Sequence, residues 1–296
     1  MAEAKVFTPN SFIKNHPCFS KEAHHKFGRI HLPVAPACNI QCRYCIRKYD
    51  CANESRPGIT SKVMRHDEAL EKVRTVLDRN DRISVIGIAG PGDPLANDAT
   101  FEVMESLHRE FPEIILCVST NGLYLPDRLD ELMKVGVRSL TVTINAVTPA
   151  IAEKVYAWAS YKGKRYTGKE AATLILGNQW RGLTNAIDAG LVVKVNTVYI
   201  PGVNDVEIPL IAWHAGERGA DIMNLMSLIP QAEFENIERP TREMIDKKRS
   251  ECIRHIPQMT HCRQCRADAF GILGEDRDME LEILNARIGE EYCETV

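Results

Sequence analysis

Cys38, Cys42 and Cys45 stand at the spacing C-x3-C-x2-C in one short run, Cys38-Asn-Ile-Gln-Cys42-Arg-Tyr-Cys45. Thiolates are the soft ligands that hold iron–sulfur clusters. Three of them on one loop can hold three corners of a cubic [4Fe–4S] cluster and leave the fourth iron open to a ligand that is not protein. A structural zinc site instead closes four protein ligands around the metal. Seven further cysteines, at 18, 51, 117, 252, 262, 265 and 293, bring the total to ten in 296 residues. A secreted disulfide framework belongs to a shorter chain with a signal segment, and the run from Met1 to Asn10 has no apolar core of that kind. So many cysteines in a chain of this size argue for metal, at sites sensitive to oxygen.

Beyond the first loop, Cys252, Cys262 and Cys265 form a second constellation, C-x9-C-x2-C. With His261 beside it, the closely spaced pair also fits half of a zinc knuckle. Cys18, Cys51 and Cys117 are scattered along the chain. If they converge, a histidine of the leader, His24 or His31, could complete a further cluster. The plain alternatives are a solvated histidine-rich arm and, for Cys117, an ordinary buried thiol inside a strand. Cys293 reads as a free terminal thiol.

These ligands need a frame. Runs apolar enough for strands buried on both faces are Ile30–Ala35, Ile83–Ala89, Ile114–Ser119, Ser139–Asn145, Leu191–Ile200 and Ile222–Ile229. Helical patterns lie between them at Asp67–Arg79, Asp98–Glu110, Pro126–Val135, Lys169–Ala189 and Asp205–Arg218, with Asp67 and Asp98 as N-caps and Gly136 and Gly190 as stops. Six strand–helix units with right-handed crossovers predict an α/β fold, a parallel sheet curled into a partial (βα)6 TIM-type barrel. The expected division is an N-terminal extension contributing cluster ligands (1–28), the barrel (29–230) and a C-terminal extension carrying cysteines (231–296). In that last part a helix runs from Thr241 to His255, and the tail from Gly274 is a loose cover.

Barrel enzymes gather ligands at the carboxyl ends of their strands. The first strand runs into the cysteine loop and the second into Ala89-Gly90-Pro91-Gly92-Asp93-Pro94. The third leads to Ser119-Thr120-Asn121-Gly122, the fourth to Asn145, and the fifth through Asn196 to Ile200-Pro201-Gly202. Each alone is an ordinary turn. On one rim they would form a pocket. Lys and Arg total 37 against 40 Asp and Glu, a net charge of −3, so no basic footprint for nucleic acid is evident. No apolar run is long enough to span a membrane, and a cytoplasmic protein is expected.

The cysteine loop, with Tyr44 just before its third thiol, resembles the signature of the radical S-adenosylmethionine (SAM) superfamily. That resemblance implies an open cluster iron that binds the amino and carboxylate groups of SAM. Gly90, Gly92 and Asp93 would bring backbone to the amino group. Ser119, Thr120 and Asn121, with Asn145 and Asn196 at neighbouring strand ends, would hold ribose and nearby polar groups. Tyr44, Ile200 and Gly202 would cover the adenine. Further motifs narrow the likeness: His16-Pro17-Cys18, Cys51-Ala-Asn-Glu-Ser55, Asn196–Asp205 and His261-Cys262-Arg-Gln-Cys265-Arg-Ala-Asp268. Together with the rim loops they resemble the NifB family of nitrogenase cofactor biosynthesis, in its short stand-alone archaeal form without the carrier domain.

That resemblance implies two auxiliary [4Fe–4S] clusters besides the SAM-binding one. The two would be fused with a SAM-derived carbide and an extra sulfur into an [8Fe–9S–C] precursor. It implies cluster donors, a downstream carrier or scaffold protein and an electron donor such as a ferredoxin. Cys18, Cys51 and Cys117 with His24 or His31 would hold one cluster, and Cys252, Cys262 and Cys265 the other. Glu54 is the candidate proton acceptor near an auxiliary cluster, or else a capping carboxylate. Arg263 and Arg266 are candidates to neutralise an anionic product. Competing readings are a radical SAM enzyme that modifies a peptide or RNA, and a passive iron–sulfur scaffold.

Overall fold

The structure is a computed structural model that describes residues 14–53 and 58–272. Its strands and α-helices, in chain order, are β1 (Gly28–His31), β2 (Ile40–Cys42), α1 (His66–Arg79), β3 (Ile83–Ile88), α2 (Asp98–Glu110), β4 (Ile115–Thr120), α3 (Leu125–Lys134), β5 (Val137–Thr143), α4 (Pro149–Val155), β6 (Tyr156–Tyr161), β7 (Lys164–Thr167), α5 (Gly168–Asp188), β8 (Val192–Tyr199), α6 (Ile208–Glu217), β9 (Ile222–Ser227), α7 (Arg242–Cys252) and β10 (Phe270–Ile272).

Seven strands form the main sheet in the order β10-β1-β3-β4-β5-β8-β9. From β1 to β9 every pairing is parallel, and β10 adds antiparallel to the β1 edge. All six expected strands are present, and the sheet is the expected open, curled half-barrel. Helix ends differ in detail. Arg65, not Asp67, caps α1: its N–H donates to the Glu68 carboxylate while Asp67 pairs with the Arg65 guanidinium. Asn97 occupies the cap of α2, where Asp98 is the first helical residue. The helix after β9 starts where expected, with the Thr241 hydroxyl accepting the Met244 N–H.

The strands alternate. Ile30, Leu116, Val118, Val193 and Val195 point outward into the main apolar core under the helices. Their neighbours Arg29, His31, Cys117, Ser119, Lys194 and Asn196 point inward and line a cavity in the lumen. A barrel interior is normally packed with branched apolar side chains. Here the period-2 pattern places sulfur, imidazole and cations inside instead.

Two segments outside the six-unit frame close the amino end of this lumen. Phe19 and Met259 pack on Val192 and Ile222, the first residues of β8 and β9, with Cys18 and Cys262 against the same cluster. The 257–259 segment bonds along β9, with Met223 N–H to Pro257 O and Met259 N–H to Met223 O, both 2.8 Å. Farther on, the Lys72 ammonium donates to the carbonyls of His31 and Asp268 at 3.0 and 2.8 Å, tying the C-terminal loop to β1.

A second, three-stranded sheet, β2-β6-β7, has no counterpart in the sequence-based expectation. It is an antiparallel hairpin turned by Lys162 and Gly163, both at positive φ, onto which β2 adds. Two residues at positive φ are what a tight two-residue hairpin requires. The sheet holds the cysteine loop: Cys42 pairs with Tyr156, Arg43 N–H donates to Val155 O, and Ser160 N–H donates to Asn39 O.

Candidate active site

Cys38, Cys42 and Cys45 line one wall of a cavity at the carboxyl end of the barrel, completed by Gly92, Asp93, Ser119, Thr120 and Asn121. The Gln41 side chain fixes the loop by donating to the carbonyls of Cys42 and Cys45 at 2.9 and 2.8 Å. Burial pushes the Cys38 thiol up to about 12 and raises Cys42 and Cys45 as well. Neutral thiols there must lose protons to bind iron, so loading releases protons. Arg47 is the cation beside them, near Cys38, Cys45 and Cys51, with its guanidinium also on the Pro36 carbonyl.

Gly92 is required by contact: a Cβ there would lie 2.1 Å from the Ala37 carbonyl oxygen. This close approach lets the loop after β3 run beside residues 35–37. Asp93 joins two rim loops. Its buried carboxylate accepts from Leu95 N–H (2.9 Å), Thr120 Oγ1 (2.9 and 3.0 Å) and Asn121 N–H (2.6 Å). Burial outweighs those donors and lifts its pKa to about 6. Asn121 Nδ2 donates to Asn39 Oδ1 at 2.7 Å and lies 3.7 Å from the Cys38 sulfur.

Tyr44 lines the same cavity, but its hydroxyl is committed: it donates to Asn53 Oδ1 (2.6 Å) and accepts from Asn145 Nδ2 (2.8 Å). Asn145 Oδ1 in turn accepts Val198 N–H. Ile200 is wholly buried with its N–H on Asn204 Oδ1, and Gly202 turns with φ of 76°. Neither lines this cavity, and Asn196 faces the lumen cavity instead. Thr143 lines the rim cavity, and like Arg47 it went unsignalled in the sequence.

The lumen cavity shares Ala89 and Ser119 with the first. Cys18, Cys117, Cys262 and Cys265 line it with His16 and His31. Cys18 lies within electrostatic reach of Cys117 and Cys262, and Cys265 within reach of Cys18 and Cys262. Burial raises Cys18 and lifts Cys265 to about 12, opposed by Lys194 and by Arg29 respectively. Among the described residues no carboxylate lines this cavity, while Arg29, Lys194 and Arg263 do. Such a balance suits bound anions. Arg266, by contrast, forms a two-pronged pair with Asp268 at 2.7 and 2.6 Å.

His31 Nδ1 sits 3.0 Å from the Arg266 carbonyl, so Nδ1 carries the proton and Nε2 keeps its lone pair. Gly87, one strand over in register, leaves room for the ring: a Cβ there would lie 3.2 Å from His31 Cδ2. Burial holds this imidazole neutral, with a pKa of about 3. His24 is buried outside the lumen wall, edge-on to His25 and tilted against His261, with ring centroids 4.7 and 4.9 Å apart.

The expected trio of Cys252, Cys262 and Cys265 is not brought together. Cys252 ends α7 fully buried in the main core, its sulfur 3.8 Å from the Ile208 carbonyl. The reason is helical phase: α7 packs on α6, and its last turn directs this residue into that contact. Cys51 lines the rim cavity beside the turn at Gly90 rather than the lumen. Glu54 and Cys293 lie outside the described residues. Among the described residues no trio of Cys, His, Asp or Glu closes tightly enough to hold a single metal ion; the thiols line cavity walls. No helix of the described residues is long and apolar enough to cross a membrane.

The Radical SAM superfamily model matches residues 32–212. The FeMo cofactor biosynthesis protein NifB of Klebsiella pneumoniae is 47% identical over 278 residues, which cover 92% of this chain and 59% of that one. NifB of Chlorobaculum tepidum is 47% identical over 272 residues, covering 91% and 64%. The chain therefore spans about three fifths of the length of these relatives. Among solved structures, Streptococcus suis SuiB bound to S-adenosylmethionine superimposes with a TM-score of 0.56 at 12% identity, over 81% of this chain and 52% of that one. At that identity the likeness is one of fold.

Proposed function

The chain belongs to the radical SAM superfamily, and from that premise we propose that it is a cofactor maturase of the NifB type. Its substrates are then two [4Fe–4S] clusters and SAM, and its product an [8Fe–9S–C] precursor of the nitrogenase cofactor. The observation that carries this reading is the lumen cavity, walled by four cysteines and His31 and adjoining the cavity of the C-x3-C-x2-C loop.

Cys38, Cys42 and Cys45 fit a resident [4Fe–4S] cluster, which when reduced supplies the electron that breaks a carbon–sulfur bond of SAM. Around it, Arg47 balances thiolate charge, and the Gly90–Asp93 turn offers backbone to the SAM amino group. Ser119, Thr120 and Asn121 orient the rest of the ligand. The Tyr44–Asn145 bond holds the loop at its depth, a positioning role in place of the adenine cover.

The substrate clusters regroup the expected ligands. Cys18, Cys262 and Cys265 suit one, and His31 and Cys117 the other, joined by Cys51 from the adjoining rim cavity, with Cys252 left out. Neutral imidazole leaves iron more readily than thiolate, which suits a cluster that must be released. Arg29, Lys194 and Arg263 offset the charge of the clusters. Glu54 keeps its proposed part as proton acceptor. The reading also carries cluster donors, a downstream carrier and a ferredoxin-like electron donor as partners, no nucleic acid, a cytoplasmic location, and the division at residues 28 and 230.

Anaerobic reconstitution tests it. About 12 irons per chain are expected for three four-iron clusters, with 5′-deoxyadenosine and an extractable larger cluster formed after SAM and reductant are added. Iron without 5′-deoxyadenosine would mean a passive scaffold. SAM cleavage with iron for one cluster alone would leave a superfamily enzyme acting on another substrate, such as a peptide or RNA.

A further inference from the structure

Two histidines line the lumen cavity, His16 buried and His31 half-buried, and the backbone sets them in opposite tautomers. His31 Nδ1 faces the Arg266 carbonyl at 3.0 Å, so it bears the proton and Nε2 is a lone pair. His16 Nδ1 lies 3.2 Å from the backbone nitrogen of Cys18. A backbone N–H can only donate, so this Nδ1 is the acceptor and the proton of the neutral ring sits on Nε2. His31 therefore offers the cavity a ligand, and His16 offers it a hydrogen-bond donor.

That donor lacks an acceptor. His16 is 3% exposed, and its Nε2 is buried without a hydrogen-bond partner. The ring has little freedom to look elsewhere. Cys18 N–H holds one edge, and Phe19 packs against it edge-on with centroids 4.7 Å apart. The turn is closed by Phe19 N–H and Ser20 N–H on the His16 carbonyl. The cavity's own charged neighbours, Arg29, Lys194 and Arg263, are donors and cannot accept from it. A buried donor with nothing to donate to is unfavourable unless a ligand supplies the acceptor.

The acceptor chemistry that fits is sulfur: a thiolate of Cys18, Cys262 or Cys265, or a sulfide bridged to iron beside them. We propose that His16 donates its Nε2–H to a sulfur of the cluster held by these three cysteines. It is then a positioning residue that tunes this cluster and does not bind its iron. A hydrogen bond to cluster sulfur stabilises the more negative reduced form and raises its potential. This inference rests on the reading that the lumen holds clusters.

The test uses His16→Asn and His16→Gln in the full chain, reconstituted anaerobically beside wild type. Asn keeps an acceptor near the Nδ1 position for the Cys18 N–H but has no donor at Nε2. Gln reaches with its amide nitrogen to where Nε2 stands. Iron per chain and the midpoint potential of each cluster signal, followed by spin resonance during redox titration, are the readouts. The expected result is unchanged iron in both variants. One auxiliary signal shifts to lower potential in His16→Asn, recovers in His16→Gln, and the SAM-cluster signal stays where it was. An unmoved set of potentials overturns the proposal. So does loss of a cluster's worth of iron in His16→Asn, which would make His16 a ligand. Wild-type protein that loads a single cluster would instead defeat the underlying reading, and the inference with it.

Discussion

The two ends of the barrel hold sulfur in different ways. At the carboxyl end, three thiols come from eight consecutive residues, clamped by a small sheet and by side-chain amides. In the lumen, four thiols and two imidazoles come from positions 16, 18, 31, 117, 262 and 265, and of the sulfurs only Cys117 stands on a strand. The first site is local, and its geometry follows once one loop is folded. The second exists only when both chain extensions close the amino end of the lumen. Polarity differs as well. Among the described residues the rim cavity sets one buried carboxylate, Asp93, against one cation, Arg47, whereas the lumen cavity has three cations and no carboxylate. A site that keeps its cluster can be rigid and neutral. A site that takes anionic clusters in and releases a larger one gains from fixed cations.

The sharpest way to separate the two ends is Cys42→Ala. Loss of one ligand to the resident cluster should lower 5′-deoxyadenosine formation by at least ~10³-fold, the scale of removing an essential catalytic group. Most of the lumen iron should remain. Measurable SAM cleavage in that variant would contradict the assignment. Cys262→Ser should do the reverse. SAM cleavage is expected to stay within a few-fold of wild type, while iron falls by about four per chain and the larger cluster is no longer extracted. If iron is unchanged, Cys262 is no ligand.

Gly87→Ala probes the seat of His31. The added methyl meets the ring at 3.2 Å, and crowding of that kind costs about 1–3 kcal/mol. Denaturant midpoints should drop accordingly and lumen iron should load incompletely, with the rim signal intact.

Asp93 gives a smaller, pH-dependent effect. With its pKa lifted to about 6, falling pH protonates it, and a carboxylic acid cannot accept from all of its present donors. SAM affinity, by calorimetry on reconstituted protein, should weaken severalfold between pH 7.5 and 5.5. Asp93→Asn should bind weakly at both. For folding the sign is opposite. The folded protein holds this proton more tightly than the unfolded chain, whose carboxyl titrates near 3.8. The contribution of Asp93 to stability is therefore full at low pH and is lost as pH rises through about 6. A flat affinity profile would remove Asp93 from the SAM site.

The least effect is expected from Cys252→Ala. It should leave iron unchanged and cost about 1–2 kcal/mol as a small buried truncation. A loss of about four irons would restore Cys252 as a ligand.

How far the sequence could be read follows the same division. The rim site was legible because its spacing is short-range chemistry: C-x3-C-x2-C, and glycine-containing turns after the second and third strands. All six barrel strands were legible from apolar runs, since strands buried under helices read that way. The lumen thiols and imidazoles were legible as residue types but not as a group, because what joins Cys18 to Cys262 is the closing of two chain extensions, not spacing. Cys252 was misgrouped because C-x9-C-x2-C ignores the helix that carries its first member into the core. The β6–β7 hairpin left a signal that was passed over, Lys162-Gly163 just after the aromatic-rich run Tyr156-Ala-Trp-Ala-Ser-Tyr161. Lys194 and Arg47 left none: a single cation on a strand or in a loop reads as solvated until its register is known.

The central claim is that the lumen binds clusters independently of the SAM site. The direct measurement is iron in the triple variant Cys38→Ala/Cys42→Ala/Cys45→Ala after anaerobic reconstitution. The account predicts about eight irons per chain, from two four-iron clusters, with auxiliary spin-resonance signals preserved. A protein that retained no iron would contradict it.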